Sequence, residues 1–311
     1  RRGRIPPNER ISAVECLVVN NIFRDQLDRY GEITHTLNAI REGITHVPNA
    51  TLCLNADCSL TASLAEDGIP NPIIRFGVNV PIYSETAHEL SDAPYCIHCK
   101  TEYEYDYITY GHLGGFRCPK CGYHRQTPQV AVTKVLATGA DSSDIILDIF
   151  GHEHEVHVNL PGGYNIYNAA AEAAVAHVVG IDEQTAVSAL SQFECGFGRA
   201  EQFKLGQAQA RMMLVKNPAG FNQVINLIAH DEGNYKLAFL LNDRFADGTD
   251  ISWIWDVDFE ALADQQVRFT RVLVSGVRAD DMALRLKYAA CTRAYRGYPR
   301  VRQAADRDRL G

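Results

Sequence analysis

The stretch ISAVECLVVNNIFRDQLDRYGEITHTLNAIREGITHVPNATLCL, residues 11–54, sets the expected architecture. Residues 11–19 form a short apolar run of the kind that makes a buried strand. Residues 33–44 place apolar side chains at helical spacing, and residues 50–54 form a second apolar strand. A strand, a helix and a strand in this order predict a βαβ unit, and therefore an α/β fold with a parallel sheet.

The composition is that of an ordinary globular protein with room for two domains. The chain has 311 residues, of which 46% are hydrophobic and 22% are charged. Its formal net charge of −8 argues against nucleic-acid binding, because neutralising phosphates requires clustered Lys and Arg. No apolar run reaches the roughly 18 residues of a transmembrane helix. Scattered cysteines and the lack of a visible signal peptide predict a cytoplasmic location.

The pattern beyond residue 54 extends this sheet and predicts a second α/β domain. Strands are predicted at 73–77, 129–134, 144–150, 154–160, 211–215, 236–241 and 271–275. Helices are predicted at 164–179, 182–193, 221–229 and 259–265. The three strands between 129 and 160 have no helix between them, so we expect them to pair antiparallel. A glycine-rich break at 196–198 separates a central domain, 1–195, from a smaller C-terminal α/β domain, 196–311.

Four cysteines interrupt this pattern with the spacing of a zinc ribbon. They form two CxxC pairs, CIHC and CPKC, at Cys96, Cys99, Cys118 and Cys121. Each CxxC turn directs two thiolates at one ion, and Zn²⁺ takes four such ligands in a tetrahedron. Four protein ligands leave no open position, so we expect a structural zinc in an insert spanning 93–126, with a tyrosine-rich β-hairpin between the pairs. Another metal or a pair of disulfides is the alternative.

Two motifs of the central domain place polar side chains where α/β sheets bind ligands. NIFRDQLDRYGE, residues 21–32, follows the first predicted strand, and open sheets bind ligands at the carboxyl ends of their strands. Asn165 and Asn168 lie one turn apart at the start of the helix predicted at 164–179, where two amides can hold a nucleobase or a phosphate. The structural alternatives are a capped strand-to-helix turn and an N-cap at Asn165.

The second half of the chain carries cationic side chains in loops that suit anions. Arg199 lies in the glycine-rich segment GFGRAE, residues 196–201, between the two predicted domains. Lys216 and Asn217 belong to LVKNPAGFN, residues 214–222, which joins a predicted strand to the N-terminus of a helix. A helix N-terminus favours bound anions. A plain linker arginine and an ordinary βα loop are the structural alternatives.

Taken in this order, the motifs resemble those of the Mur ligases of peptidoglycan synthesis. The finer details resemble the branch of this family whose members are ligase-like subunits that amidate lipid II. Those details are NIFRDQLDRYGE, the NAD tripeptide at 55–57, the inserted ribbon, KNPAGFNQ at 216–223 and NDRFADGTDISWIWDVDFE at 242–260. The resemblance runs from about residue 11 to residue 288. It implies a Mur-ligase-like central parallel-sheet domain with an inserted ribbon, followed by a smaller α/β domain.

The resemblance also implies a chemistry, which is an ATP-dependent amidation of lipid II at the inner membrane face. The α-carboxylate of D-glutamate in the stem peptide would be phosphorylated, and ammonia would convert it into D-isoglutamine. A glutaminase partner, GatD, would supply the ammonia as the other half of a heterodimer. By this resemblance, ATP with Mg²⁺ would contact Asn168, Arg199, Lys216 and Asn217. Asp250 would orient the histidine of the partner's Cys–His pair. The alternatives are that Asp250 only caps the turn before Trp253, or that Asp256 or Asp258 has this role.

Three departures from the family bear on activity. The family carries a P-loop of GTNGKT type and a metal-binding glutamate before the NIFR motif, and neither stands in these 311 residues. Cys58 replaces the second aspartate of the family's NADD, and residues 295–311 do not resemble the family. We therefore expect a chain truncated at both ends, or one that has lost the loop, and inactive by itself. The alternative functions are a catalytically inactive scaffold and a Mur ligase that adds an amino acid.

Overall fold

The computed structural model describes residues 14–25, 32–66, 68–83, 91–139, 141–193, 201–230, 233, 235–245, 248–264, 269–291 and 295–297. The chain divides into two compact units, each with a hydrophobic core of its own. The first unit takes residues 1–23, 32–84 and 91–197, and the second takes 24–31, 85–90 and 198–311. Within the described residues, no helix has the length and apolar character needed to cross a membrane.

The first unit is built on a mixed sheet. Its described strands are β1 (Cys16–Val19), β2 (Thr51–Asn55), β3 (Ile73–Val78), β4 (Glu104–Tyr110), β5 (Leu113–Arg117), β6 (Val130–Thr138), β7 (Ser143–Ile149) and β8 (His152–Val158). The sheet has the order β1-β2-β3-β6-β7-β8, and β4 and β5 form a separate hairpin. β1, β2, β3 and β6 run parallel, whereas β7 lies antiparallel to both β6 and β8. The parallel part and the antiparallel part both lie where the sequence predicts them.

The strands of this sheet differ in how many of their faces are buried, and their sequences differ accordingly. The last four residues of β2 are all buried, as expected for a strand covered on both faces. In β7, fully buried residues alternate with half-buried ones, so one face of the strand meets the core. The helices of the first unit are α1 (Ile33–Thr45), α2 (Ser59–Ala62), α3 (Gly163–Val178) and α4 (Glu183–Gln192). Buried alanines of α3 share the core of the sheet, where small side chains allow close packing.

The second unit is a smaller α/β unit. Strands β9 (Glu201–Leu205) and β10 (Ala208–Met212) form an antiparallel hairpin. Strands β11 (Tyr235–Leu240), β12 (Phe269–Ser275) and β13 (Tyr295–Gly297) form a parallel sheet. Around them lie α5 (Pro218–His230), a 3₁₀ helix (Ser252–Asp256), α6 (Glu260–Asp264) and α7 (Ala279–Tyr288). In the core, Phe221 and Phe259 are buried and Phe239 packs against them, with ring centroids 5.0 to 5.9 Å apart.

Most predicted segments agree with these elements to within a few residues, and one is wrong. The strand predicted at 211–215 is β10, which ends at Met212 and pairs with β9 around a turn at Gly206. Gly206 has a φ of 65°, which favours glycine. β9 and β13 have no counterpart among the predicted strands. Residues 11–13 and the predicted boundary at 196–198 lie outside the described residues.

Candidate metal centre and sheet-edge site

The four predicted ligands of the ribbon lie together in the structure. Cys96 Sγ is 3.5 Å from Cys121 Sγ, and Cys99 Sγ is 3.4 Å from Cys118 Sγ. All four sulfur atoms lie within 4.8 Å of one another. A tetrahedral zinc with bonds of about 2.3 Å separates its sulfur ligands by about 3.8 Å, so the cluster fits one such ion after a small adjustment. These residues could therefore hold a metal ion.

Local hydrogen bonds give both CxxC turns the same backbone geometry. In the first turn, the Lys100 N–H group donates to the Cys96 carbonyl oxygen at 2.9 Å. In the second, the Gly122 N–H group donates to the Cys118 carbonyl oxygen at 3.1 Å. Lys100 and Gly122 both have positive φ, 59° and 77°. The repeated geometry aims two thiols from each turn at a common point.

The hairpin of β4 and β5 joins the two turns, as the sequence predicts. Tyr103 and Phe116 are buried with Cys96 and Cys118 in a small cluster, and their ring centroids lie 5.1 Å apart. The ribbon therefore has an aromatic core of its own beside the cysteines. Such a core is too small to fold without help, and a bound metal supplies that help in small domains.

Three asparagines, which we call the amide cluster, meet at the carboxyl end of β1. Asn20 Nδ2 donates to Asn168 Oδ1 at 2.6 Å, and Asn168 Nδ2 donates to Asn165 Oδ1 at 3.1 Å. Asn165 Nδ2 donates to the Pro161 carbonyl oxygen at 2.7 Å. The N-cap of α3 is Gly162, so the alternative of an N-cap at Asn165 is wrong. Asn20 Oδ1 is buried without a partner among the described residues, which leaves an acceptor for a ligand's donor.

A second group of polar side chains, which we call the Asp57 network, lies just after β2. Asp57 is fully buried, and its Oδ1 atom accepts a hydrogen bond from Arg125 Nε at 2.6 Å. Its Oδ2 atom accepts from the Tyr167 hydroxyl at 2.6 Å and from the Val78 N–H group at 2.9 Å. Burial raises the pKa of Asp57, and the charge of Arg125 opposes that shift. Sequence analysis missed Arg125 and Tyr167, because 68 and 110 residues separate them from Asp57.

Cys58, where the sequence departs from the Mur ligase pattern, is a buried thiol beside an imidazole. Its Sγ atom lies 3.4 Å from His112 Nε2, and both residues are fully buried. Burial raises the pKa of Cys58, but His112 and hydrogen bonds from Thr61 together outweigh burial and lower the pKa to about 7. The Phe23 ring lies 4.6 Å from the His112 ring, measured between centroids. The contact between Cys58 and His112 joins the turn of the β4–β5 hairpin to the end of β2.

The other residues predicted to bind nucleotide lie in the second unit or outside the described residues. Asn217 Oδ1 accepts a hydrogen bond from the Gly220 N–H group at 2.8 Å, so Asn217 caps the start of α5. Lys216 precedes it with an exposed side chain. Arg199 lies outside the described residues. The nucleotide cleft that would combine Asn168, Arg199 and Lys216 stays a prediction.

Asp250 lies on the turn before the 3₁₀ helix of the second unit. Its Oδ1 atom accepts a hydrogen bond from the Ser252 N–H group at 2.8 Å, and its Oδ2 atom has no hydrogen-bond partner among the described residues. Asp256 pairs with Arg24 Nη1 at 3.6 Å, and Asp258 Oδ1 caps the start of α6. Asp250 therefore caps this turn.

A buried arginine holds this segment in place. Arg285, whose side chain is 5% exposed, donates to the carbonyl oxygens of Ile254 at 3.2 Å and Val257 at 2.6 Å. It also donates to both carboxylate oxygens of Glu260, at 2.9 and 2.8 Å. These hydrogen bonds lower the pKa of Glu260. The guanidinium carbon of Arg285 lies 5.7 Å from the ring centroid of Trp255. Arg285 thus fixes the backbone that carries the residues after Asp250.

Comparison with known sequences points to one group of proteins. Residues 214–306 match the family described as MurT ligase C-terminal. The expectation that residues 295–311 do not resemble the family is therefore wrong for residues 295–306. The MurT subunit of lipid II isoglutaminyl synthase (glutamine-hydrolysing) from Streptococcus pneumoniae is 36% identical over 283 residues. The subunit of the same name from Staphylococcus aureus is 33% identical over 291 residues. These alignments cover 91% and 92% of this chain, but 60% and 63% of the relatives. The chain thus spans about three fifths of their length.

Comparison with solved structures gives the fold. A pseudomurein peptide ligase type C from Methanothermus fervidus superposes with a TM-score of 0.69 at 23% identity, over 96% of this chain and 55% of that one. MurF from Acinetobacter baumannii superposes with a TM-score of 0.58 at 16% identity, over 92% and 50%. The fold is therefore that of the Mur ligases. Within that class, this chain is similar in sequence to the MurT subunits, and residues 214–306 of its second unit are similar to the MurT ligase C-terminal family.

Proposed function

We propose that this chain is the ligase-like part of a lipid II isoglutaminyl synthase. It amidates the D-glutamate α-carboxylate of the lipid II stem peptide, acting from the cytoplasm at the inner membrane face. The observation that carries the proposal is the relationship to MurT, which covers 91% of the chain and includes the family match at 214–306. That match favours amidation over the addition of an amino acid.

The proposed reaction divides a difficult amide synthesis into two steps. The γ-phosphate of ATP passes to a carboxylate oxygen, which releases ADP and gives an acyl phosphate. The nitrogen of ammonia then attacks the carbonyl carbon, phosphate leaves with the electrons of the C–O bond, and loss of a proton leaves the carboxamide. Phosphate is a far better leaving group than the oxygen of a carboxylate. Cationic side chains and Mg²⁺ stabilise the charge on the transferred phosphoryl group.

The amide cluster supports a role in binding the nucleotide. Asn168 is held between Asn20 and Asn165 at the carboxyl end of β1, which is where sheets of this kind bind ligands. The unpaired acceptor at Asn20 Oδ1 suits an amino or hydroxyl donor of ATP. In this proposal Arg199, Lys216 and Asn217 provide the remaining polar contacts. The exposed Lys216 at the start of α5 suits a phosphate.

We assign the cysteine cluster to a structural zinc. The sulfur spacing supports a tetrahedral ion, and four thiolates are the ligand set that structural zinc prefers. With four protein ligands the ion has no position for substrate or water. Its part in the proposed reaction is therefore to keep the ribbon folded.

The ammonia requires a partner, and we propose a glutaminase of the GatD type. Asp250 would face the histidine of the partner's Cys–His pair. A carboxylate beside an imidazole fixes its tautomer and stabilises the imidazolium formed when it takes the thiol proton. The Asp250 Oδ2 atom, which has no partner among the described residues, supports this assignment.

The test is a turnover assay with the gene product that contains this chain, co-expressed with a GatD-type glutaminase. Purified complex, lipid II, Mg²⁺-ATP and glutamine should yield amidated lipid II, ADP and glutamate in equal amounts. Product should be lost when ATP is omitted, and ammonium should replace glutamine. A stem peptide lengthened by an amino acid would contradict amidation. A stable complex that consumes no ATP would instead indicate a scaffold.

A further inference from the structure

The carboxylate of Asp57 is the point where three parts of the first unit meet. Arg125 reaches it from the end of the ribbon, the Val78 N–H group from β3, and the Tyr167 hydroxyl from α3. Asp57 is fully buried, and the side chain of Arg125 is 13% exposed. A buried carboxylate with three hydrogen-bond donors is costly to disturb, because removing one partner leaves polar groups without compensation.

Arg125 ties the ribbon to the edge of the sheet. Its backbone N–H group donates to the Phe116 carbonyl oxygen of β5 at 2.9 Å, so its main chain belongs to the ribbon. Its side chain leaves the ribbon: Nη2 donates to Asn79 Oδ1 at 2.8 Å, and Nε donates to Asp57. A β-carbon added at Gly77 would collide with Asp57 Oδ1 and would lie 2.9 Å from Arg125 Nη2. The sheet edge thus leaves space for this ion pair.

Tyr167 connects the same network to the amide cluster. Its hydroxyl donates to Asp57 and lies 2.7 Å from the Thr109 hydroxyl of β4, so the hairpin of the ribbon contacts it by a second route. The next residue of α3 is Asn168, which holds Asn20 and Asn165. One helical turn therefore contacts the ribbon through Tyr167 and the end of β1 through Asn168.

We propose that Asp57 is a positioning residue that makes the geometry of the amide cluster depend on the metal-held fold of the ribbon. The ribbon fixes Arg125 and Thr109, these fix Asp57 and Tyr167, and Tyr167 fixes the turn of α3 that presents Asn168. Loss of the metal then loosens the start of α3 as well as the ribbon. An effect of the ribbon on nucleotide binding rests on the proposed function. The coupling between the ribbon and the start of α3 does not.

Hydrogen–deuterium exchange of the zinc-loaded chain tests the coupling without nucleotide or substrate. Removing zinc with a chelator should raise exchange at residues 163–172 of α3 by roughly tenfold, within the usual range of coupling between sites. Exchange at residues 143–149 of β7 should not change, because that strand contributes no side chain to the Asp57 network. An increase confined to the ribbon would overturn the proposal.

Tyr167→Phe is the sharpest variant, since it removes the hydroxyl that makes the polar contacts and keeps the ring, which packs against Tyr110 of β4. In this variant zinc should still bind at one equivalent, but its removal should change exchange at 163–172 much less than in wild type. Asp57→Asn should behave in the same way if it folds. Asp144→Asn is the matched control, because Asp144 also pairs with a side chain of the first unit, His157, at 2.7 Å. It should respond like wild type, and a wild-type response of Tyr167→Phe would overturn the proposal.

A second readout separates this inference from the proposed function. Nucleotide affinity of the zinc-loaded gene product can be compared in Tyr167→Phe and wild type. If exchange shows the coupling but both proteins bind nucleotide equally well, the role of Asp57 is supported. Only the assignment of the amide cluster to nucleotide binding is then contradicted.

Discussion

At the scale of single residues, the side-chain amide of Asn168 holds the amide cluster together. It accepts a hydrogen bond from Asn20 and donates one to Asn165, so both functions of its side chain are used. Its removal separates the end of β1 from the first turns of α3. It also leaves two partly buried amides to find new partners, which is the costly part of losing a hydrogen bond.

We expect Asn168→Ala to weaken ATP binding by roughly tenfold, or about 1–2 kcal/mol, because it dismantles the amide cluster. Calorimetric titration of the gene product with a non-hydrolysable ATP analogue measures this. Asn159→Ala is the control, since Asn159 also donates a side-chain hydrogen bond in the first unit, to the Phe193 carbonyl oxygen at 3.1 Å. Equal affinity in both variants would mean that the nucleotide binds elsewhere.

The cysteines of the ribbon allow an equally direct test. Cys118→Ser should reduce bound zinc from one equivalent to less than about half, since a hydroxyl is a poor substitute for a thiolate ligand. Elemental analysis of protein purified under reducing conditions without chelator gives the ratio. Cys291→Ser, at a buried free cysteine of the second unit, should keep the full equivalent. A wild-type chain with less than half an equivalent would contradict the zinc assignment.

At the scale of elements, the segment after Asp250 is held by a buried arginine as well as by its own hydrogen bonds. The 3₁₀ helix Ser252–Asp256 is short, and Arg285 holds it through the carbonyl oxygens of Ile254 and Val257. Glu260 neutralises the arginine with a bidentate contact. The planar guanidinium group of arginine can donate to both oxygens of a carboxylate at once, which the ammonium group of lysine cannot do with the same geometry.

This pair predicts a pH dependence for the second unit. Arg285 lowers the pKa of Glu260 in the folded state, so its stabilising effect is present above the unfolded pKa and disappears as the pH falls through the folded pKa. Glu260→Gln should therefore unfold at lower urea than wild type at pH 7, and the difference should shrink below about pH 4. Both tryptophans of the chain, Trp253 and Trp255, lie in this unit, so their fluorescence reports its unfolding.

The exposed Glu155 of β8 supplies the matched control for that experiment, because it lies in the first unit. Glu155→Gln should leave the tryptophan-detected midpoint unchanged at both pH values. A deficit of Glu260→Gln that is as large in acid as at neutral pH would mean that the charge of Glu260 is not what stabilises the segment.

Particular elements show what the sequence can and cannot predict. The helix predicted at 33–44 is Ile33–Thr45, because its apolar spacing directly reflects the buried face. The strand predicted at 211–215 is displaced, because Met212 and Leu214 are 51% and 63% exposed and their apolar character does not report burial. The cysteine cluster follows from local spacing. The pairing of Asp57 with Arg125 depends on contacts between distant segments, which no local pattern contains.

At the scale of the whole molecule, we predict that Asp250 acts in the active site of another subunit. Asp250→Asn should leave the complex with a GatD-type glutaminase intact while glutamine hydrolysis falls by roughly a hundredfold or more, because an amide cannot stabilise the imidazolium. Asp256→Asn is the matched control, since Asp256 is occupied by Arg24. Size-exclusion chromatography checks assembly, and glutamate release measures turnover. Normal turnover with Asp250→Asn, or an equal loss with Asp256→Asn, would contradict the assignment.

Isotope labelling tests the proposal that this chain directs ammonia from a glutaminase onto lipid II. The complex is supplied with lipid II, ATP and glutamine labelled with heavy nitrogen in its side-chain amide, and the stem peptide is analysed by mass spectrometry. The proposal predicts heavy nitrogen in the α-carboxamide of D-isoglutamine with the wild-type complex. With Asp250→Asn it predicts none, although added ammonium restores an unlabelled product. A stem peptide that is never amidated, or one that gains an amino acid instead, would contradict the account.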